Sequence, residues 1–275
     1  MSAVTMDATV GKPTGQASAW RTVRVLAWRS LRKVTRTRQL VFFSLVQPIV
    51  FLALFSQVFR SIKDTPGFPE GITYIDHLVP AILITSIATY STQSGISMAT
   101  DLTSGVMDRF RSLPIPRAAV PLARSVADLA RSSVQTVAMI IVSMLLFGFR
   151  FHGNLAETLG VLVVAAVFGW SLSWLYIAIG TATRNVEVTQ MAGFLVNFPL
   201  MFASSAFVPS RNLPDWLEGF TGINPLSLAV DASRSLALGW PWGDDVLRAA
   251  IAAALVAILG MVGVFFADRA SARQG

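Results

Sequence analysis

The side chains with the most chemical potential fall in one polar stretch, 101–124, which reads DLTSGVMDRFRSLPIPRAAVPLAR. Asp108, Arg109 and Arg111 there alternate with Val106, Met107, Phe110 and Leu113 on a short helical piece around Thr103–Leu113, which Pro114 and Pro116 stop. Charges rimming Met and Phe anchors suit insertion into a partner's groove rather than bond cleavage. A basic loop lying on a membrane surface accounts for the same residues equally well. Other chemistry has few carriers. With no cysteine in the chain, disulfides, thiolate metal sites and Cys nucleophiles are excluded. His77 and His152 stand apart, near no nucleophile motif, and cannot form a His-rich metal site without other ligands. The only Gly-Lys, Gly11–Lys12, is followed by Pro13, so no phosphate-cradling loop exists. Any ATP chemistry must come from another polypeptide.

The elements that must position these residues are apolar. No Asp, Glu, Lys or Arg occurs in 39–59, 78–100, 132–149, 158–183, 188–210 or 249–267. Each run has 18 to 26 residues, and about 20 apolar residues as a helix cross a hydrocarbon core of roughly 30 Å. The composition agrees: 53% hydrophobic and 13% charged residues, against about 25% charged in soluble domains. The pattern predicts an all-α polytopic membrane protein with six transmembrane helices. Cleavage of a signal peptide is not expected, because the first run is too long and lacks a small-x-small exit.

Orientation follows from basic residues. Eight Lys/Arg precede the first span, from Lys12 through Arg38; Arg109, Arg111, Arg117, Arg124 and Arg131 follow the second; Arg184, Arg269 and Arg273 complete 16 on one side against 6 on the other. The positive-inside rule places that side, with both termini, in the cytoplasm. The net charge of +7 is thus a topology signal and not a nucleic-acid patch. Residues 1–19 read as a flexible tail, 39–267 as the six-helix transmembrane domain and 268–275 as a second cytosolic tail. Over 20–38, Trp20, Val23, Ala27, Leu31 and Val34 share one helical face and arginines take the others, which predicts an amphipathic helix in the headgroup plane.

Several spans carry internal features. Pro48 and Pro199 interrupt the first and fifth. The second fills its latter half with Thr85, Ser86, Thr89, Tyr90, Ser91, Thr92, Gln93, Ser94 and Ser97, serving either as interhelical hydrogen-bond glue or as a substrate-facing surface. Gly160, Gly169, Ser171, Ser173 and Gly180 of the fourth permit close helix approach. Residues 211–245 mix short apolar pieces with Pro214, Pro225 and Pro241, predicting a re-entrant segment that dips into the outer leaflet between spans five and six, with Trp216, Trp240 and Trp242 at headgroup level. Asp231 and Arg234 within it should pair, and Arg184 with Glu187 reads as a solvated surface pair.

Two motifs then carry a family likeness: Gly105–Pro114 with Arg117 and Arg124, and Phe202–Pro209 continuing through Leu213–Pro214, Asn224–Pro225–Leu226, Asp231–Arg234 and Gly239. Together they resemble ABC-2 type permeases, in particular the daunorubicin/doxorubicin-resistance permease branch, over about residues 20–268. The resemblance implies the membrane permease subunit of an ATP-binding-cassette exporter, not itself an enzyme. It implies a coupling helix in the 101–117 loop, made by Gly105, Met107, Asp108, Arg109, Phe110, Arg111, Leu113, Pro114 and Arg117, docked on a separate ABC ATPase subunit. ATP and Mg would be bound there and no cofactor by this chain. A second permease chain, identical or different, would complete the transporter in the cell membrane. A substrate path for an apolar or amphipathic molecule, drug-like or lipid, is expected along Thr85, Thr89, Tyr90, Gln93, Asn197, Phe198, Phe202 and Ser205, with Asn224, Pro225, Asp231 and Arg234 in the re-entrant segment. A secondary transporter, which usually holds an ionisable group at mid-membrane, or a structural subunit of a membrane complex remains the alternative.

Overall fold

The computed structural model describes residues 38–58, 71–104, 119–207 and 214–272, and every regular element among them is helical. In chain order these are α1 (Arg38–Val58), α2 (Tyr74–Thr103), α3 (Ala119–Phe147), α4 (Leu155–Thr183), α5 (Val186–Phe202), α6 (Asp215–Thr221), α7 (Pro225–Leu238) and α8 (Gly243–Ala272). The tail, nearly all of the 20–38 stretch and the whole of the coupling motif from Gly105 to Arg117 lie outside the described residues.

Local sequence explains where the helices begin. Thr73 accepts from the Asp76 N–H while the Asp76 side chain accepts from the Thr73 backbone, a reciprocal cap that starts α2. Asn154 and Glu157 repeat the arrangement at α4. Asn185 caps α5 through the Val188 N–H. Asn224 caps α7, with Pro225 in the first turn, where its missing N–H costs nothing. Gly239 closes α7 at φ +69°, a left-handed conformation suited to glycine.

Among the described residues, three helices are long and apolar enough to cross a membrane: Pro121–Phe147, Leu155–Thr183 and Gly243–Ala270. Leu45–Val58 and Val186–Phe202 are shorter apolar helices. At 30 residues α2 has the length, but hydroxyl side chains crowd its second half. The ends differ from the charge-free runs. Thr103 ends α2, and α3 starts at Ala119, so Arg124 and Arg131 belong to a helix rather than to a connecting loop.

α4 is the hub, packed against α2, α3, α5, α7 and α8. Its buried Ala165, Phe168, Leu172 and Tyr176 meet Leu83, Ile84 and Ile87 of α2 and Leu226, Ala229 and Val230 of α7. A second cluster gathers Leu52, Leu78, Ile82, Met139, Phe149 and Leu236 near the start of α2. α7 is only 14 residues long, yet most of it is buried against α2, α4 and α8. The outward faces of α3 and α8 remain apolar, for example Leu145 at 77% and Leu259 at 67% exposure, as lipid-facing surfaces must be.

Candidate functional site: the polar face of α2

The hydroxyls of α2 divide by face. Thr85 donates to the Ala81 and Ile82 carbonyls, Ser86 to Ile82 and Thr89 to Thr85. Returning the proton to the same helix satisfies these groups without water and leaves their lone pairs available. Thr85, Ser86, Thr89 and Tyr90 line a shallow cleft with Gln47, Pro48 and Phe51 of α1 and Met201 of α5. On the opposite side, Ser91 donates to its own Ile87 carbonyl and reaches the Gly169 carbonyl of α4 at 3.2 Å. Interhelical hydrogen bonding is therefore present on one face of this helix, and the residues considered for a substrate-facing role border a cleft on another.

Asn197 belongs to the first role. Its side-chain carbonyl accepts from the Tyr176 hydroxyl at 2.7 Å, while its amide donates to Thr92 Oγ1 at 3.0 Å and the Ala88 carbonyl at 3.4 Å. One amide thus ties α2, α4 and α5. Replacing Asn197 by leucine removes the acceptor 2.7 Å from the hydroxyl of the fully buried Tyr176, leaving it only Thr92, and should cost about 1–2 kcal/mol. In thermal unfolding of the purified protein, Tyr176→Phe should recover part of that loss. Strict additivity of the two changes would mean that the contact contributes nothing.

Phe198 and Phe202 point outward instead. They are 48% and 58% exposed and stack in a row with Phe194, at centroid spacings of 5.5 and 4.5 Å. With Met191 and Leu195 at 73% each, they give α5 a continuous uncovered aromatic and aliphatic face. Thr89 and Gln93 are exposed on α2. Ser205 is buried and donates to Asp231 at 2.7 Å. Of the eight residues expected along a substrate path, the structure gathers Thr85, Thr89 and Tyr90 at the cleft and Phe198 and Phe202 on the α5 face. Asn197 and Ser205 are engaged in packing networks.

The residues expected in a re-entrant segment form a second network. Asn224 donates to the Leu200 and Ala203 carbonyls, which the end of α5 leaves without helical partners. Arg234 is buried and donates to Asp231 at 3.1 Å and to the His77, Ser205 and Ala206 carbonyls. Asp231 and Arg234 pair as their spacing suggested. Arg184 is the left-handed C-cap of α4.

One ionic chain escaped the sequence reading. Arg124 pairs with Asp101 and approaches the Ser94 carbonyl; Ser94 donates to Asp128, which also pairs with Arg131. The chain stitches α2 to α3 on both flanks of the 105–118 segment. Alternation of basic residues with Asp101 and Asp128 was visible, but counting only arginines for topology hid the pairing.

The match to known proteins covers the same ground. The sequence model of the ABC-2 type transporter family fits residues 21–238. The daunorubicin resistance ABC transporter permease protein DrrB1 of Streptomyces coeruleorubidus is 28% identical over 90% of this chain and 86% of its own. The probable doxorubicin resistance ABC transporter permease protein DrrC of Mycobacterium tuberculosis is 27% identical over 78% and 75%. The putative transport permease ycf38 of Pyropia yezoensis is 23% identical over 82% and 78%. With most of its length matched and its relatives named as permeases, this chain is a membrane permease, not an enzyme, and belongs to the ABC-2 type transporter family.

Proposed function

We propose that the chain is the membrane-spanning subunit of an ATP-driven exporter of an apolar or amphipathic molecule. The observation that carries this reading is the pairing of the uncovered aromatic face of α5 with the hydroxyl-lined cleft of α2, apolar surface beside hydrogen-bonding groups. The cleft of a single chain encloses only about 20 Å³, whereas drug-sized ligands occupy pockets of about 300–1,000 Å³. A second permease chain facing α5, identical or different, would enlarge it. Six spans, cytoplasmic termini and a re-entrant α6–α7 complete the arrangement; α7, at about 21 Å, is too short to span and is packed inside the bundle instead. Outward transport accords with the resistance named for the relatives.

Energy enters through the 105–117 segment docked on an ABC ATPase subunit, which family membership implies and which would bind ATP and Mg. ATP-driven closure of that partner displaces the docked segment, and the ionic chain between α2 and α3 carries the displacement toward the cleft. Coupling of this kind requires docked contacts that differ between two states. Secondary transport draws one point in its favour, the carboxylate of Asp128 inside the bundle. Both of its oxygens already accept a hydrogen bond, from Ser94 and Arg131, and the Arg131 guanidinium already balances its charge.

Purification of the chain from its native membrane in mild detergent should recover a stoichiometric ATP-binding subunit with vanadate-sensitive ATPase activity. A preparation without ATPase would overturn the exporter reading. Asp108, Arg109 and Phe110 substitutions should abolish ATP-dependent transport in vesicles by tenfold or more, about 1.4 kcal/mol of coupling or above, with normal membrane insertion. Unchanged transport in all three would remove the coupling assignment.

A further inference from the structure

A second recess lies across Tyr90 from the cleft, between α2, α3 and α4. Tyr90, Ser91, Asp128, Arg131, Ser132 and Gln135 wall it. Its depth can be read from α4: Ser132 packs on Gly169, the central residue of that helix. Polar side chains therefore surround a void halfway along a membrane-spanning helix, where such groups are costly unless they have partners.

The inventory of hydrogen bonds defines what fits. Both Asp128 oxygens are engaged, one by Ser94 and one by Arg131. The hydroxyls of Ser91 and Ser132 donate to backbone carbonyls, so they offer only lone pairs. Gln135 is 9% exposed, and its amide nitrogen is buried with no hydrogen-bond partner. Arg131, 31% exposed, uses one of its five N–H groups on Asp128. The recess thus presents spare donors beside serine lone pairs, while the Asp128–Arg131 pair keeps it electrically neutral. A neutral oxygen that accepts, and that can also donate, completes this set. A charged group would enter without a counter-ion and lose its hydration.

The size limits the guest further. The void is about 20 Å³, room for one water-sized group. Beyond its rim α3 turns apolar, with Val134, Val137 and Ile141 exposed at 63%, 42% and 49%; Val134 is one turn from Arg131 on the same face. We propose that this recess binds the neutral hydroxyl or carbonyl oxygen of an amphipathic molecule whose apolar body lies along α3 from the bilayer side. The assignment does not depend on ATPase coupling.

The test is native mass spectrometry of the delipidated full-length chain in detergent, offered monooleoylglycerol, oleate, oleylamine, octadecene or free glycerol. A single monooleoylglycerol adduct should be retained in preference to the other four. Gln135→Leu should weaken it roughly five- to tenfold, as loss of a buried hydrogen bond implies, while Thr100→Ala on the exposed side of α2 should leave it unchanged. Equal retention of all the oleyl compounds, or retention by Gln135→Leu equal to wild type, overturns the proposal. Free glycerol held as tightly as its oleoyl ester would indicate a site filled from water and overturns the bilayer source. Head-group selectivity in the wild-type chain decides the matter even if the Gln135 variant fails to fold.

Discussion

Arg234→Met is expected to destabilise the protein by about 3–5 kcal/mol, the usual result of removing one partner from a buried ionic network. Three segments converge on this guanidinium: α2 through the His77 carbonyl, the turn after α5 through the Ser205 and Ala206 carbonyls, and its own α7 through Asp231. Methionine fills similar volume but leaves those acceptors buried without donors, at about 1–3 kcal/mol each where water cannot replace them. Arg234→Lys should fall between, because an ammonium cannot reproduce the planar fork. Asp231→Asn should cost least, since Asp231 is 38% exposed and Arg234 keeps its three carbonyls. Thermal unfolding of the purified variants, with Arg248→Gln as an exposed control, gives the order. An Asp231→Asn loss as large as that of Arg234→Met would show that the ion pair, not the carbonyl cradle, holds α7 in place.

The fate of Arg234 also shows how far the sequence could be read. Its three-residue spacing from Asp231 within a proline-punctuated segment announced a pair. The three carbonyls it binds were invisible, because backbone acceptors carry no residue signature and lie 28 to 157 positions away. The apolar runs gave the helices, and the caps at Asn154, Asn185 and Asn224 set several of their starts. The runs did not give the ends of α2 and α3, because absence of charge marks contact with hydrocarbon, whereas a helix continues through any residues that keep its ladder. Arg124 and Arg131 were therefore assigned to a loop although they extend α3 and meet Asp101 and Asp128. For the expected substrate surface, composition predicted that α2 was polar but not which hydroxyl faced which neighbour. Only rotation about the helix axis separates Thr85 and Thr89 at the cleft from Ser91 and Ser94 inside, and that rotation is set by how α2 packs on α4.

That packing supplies the other large expected effect. Gly180→Ala should destabilise by about 1–3 kcal/mol through overpacking, despite the roughly 1 kcal/mol that alanine gains in a helix. A methyl group at Gly180 would meet the backbone of Gly95, with the Gly95 carbonyl carbon at 2.9 Å and its Cα at 3.1 Å. Backbone cannot rotate aside, so α2 and α4 must separate. Gly260→Ala should behave likewise, since its methyl would meet the α4 backbone at Trp174 and Leu175, 2.5 Å away. Gly169→Ala should be milder, because the nearest atom is a methyl of the Ile87 side chain. The small residues of α4 predicted close approach, but Gly95 and Gly260 could not be matched to it from sequence, since the partner of a small-residue contact need have no periodic relation to it. Gly95→Ala combined with Gly180→Ala should cost less than the sum of the two, because one separation of the helices relieves both clashes. Thermal unfolding of the four proteins in this cycle measures the coupling. Additive losses would mean that each methyl is accommodated locally, and that the α2–α4 contact does not fix the rotation of α2.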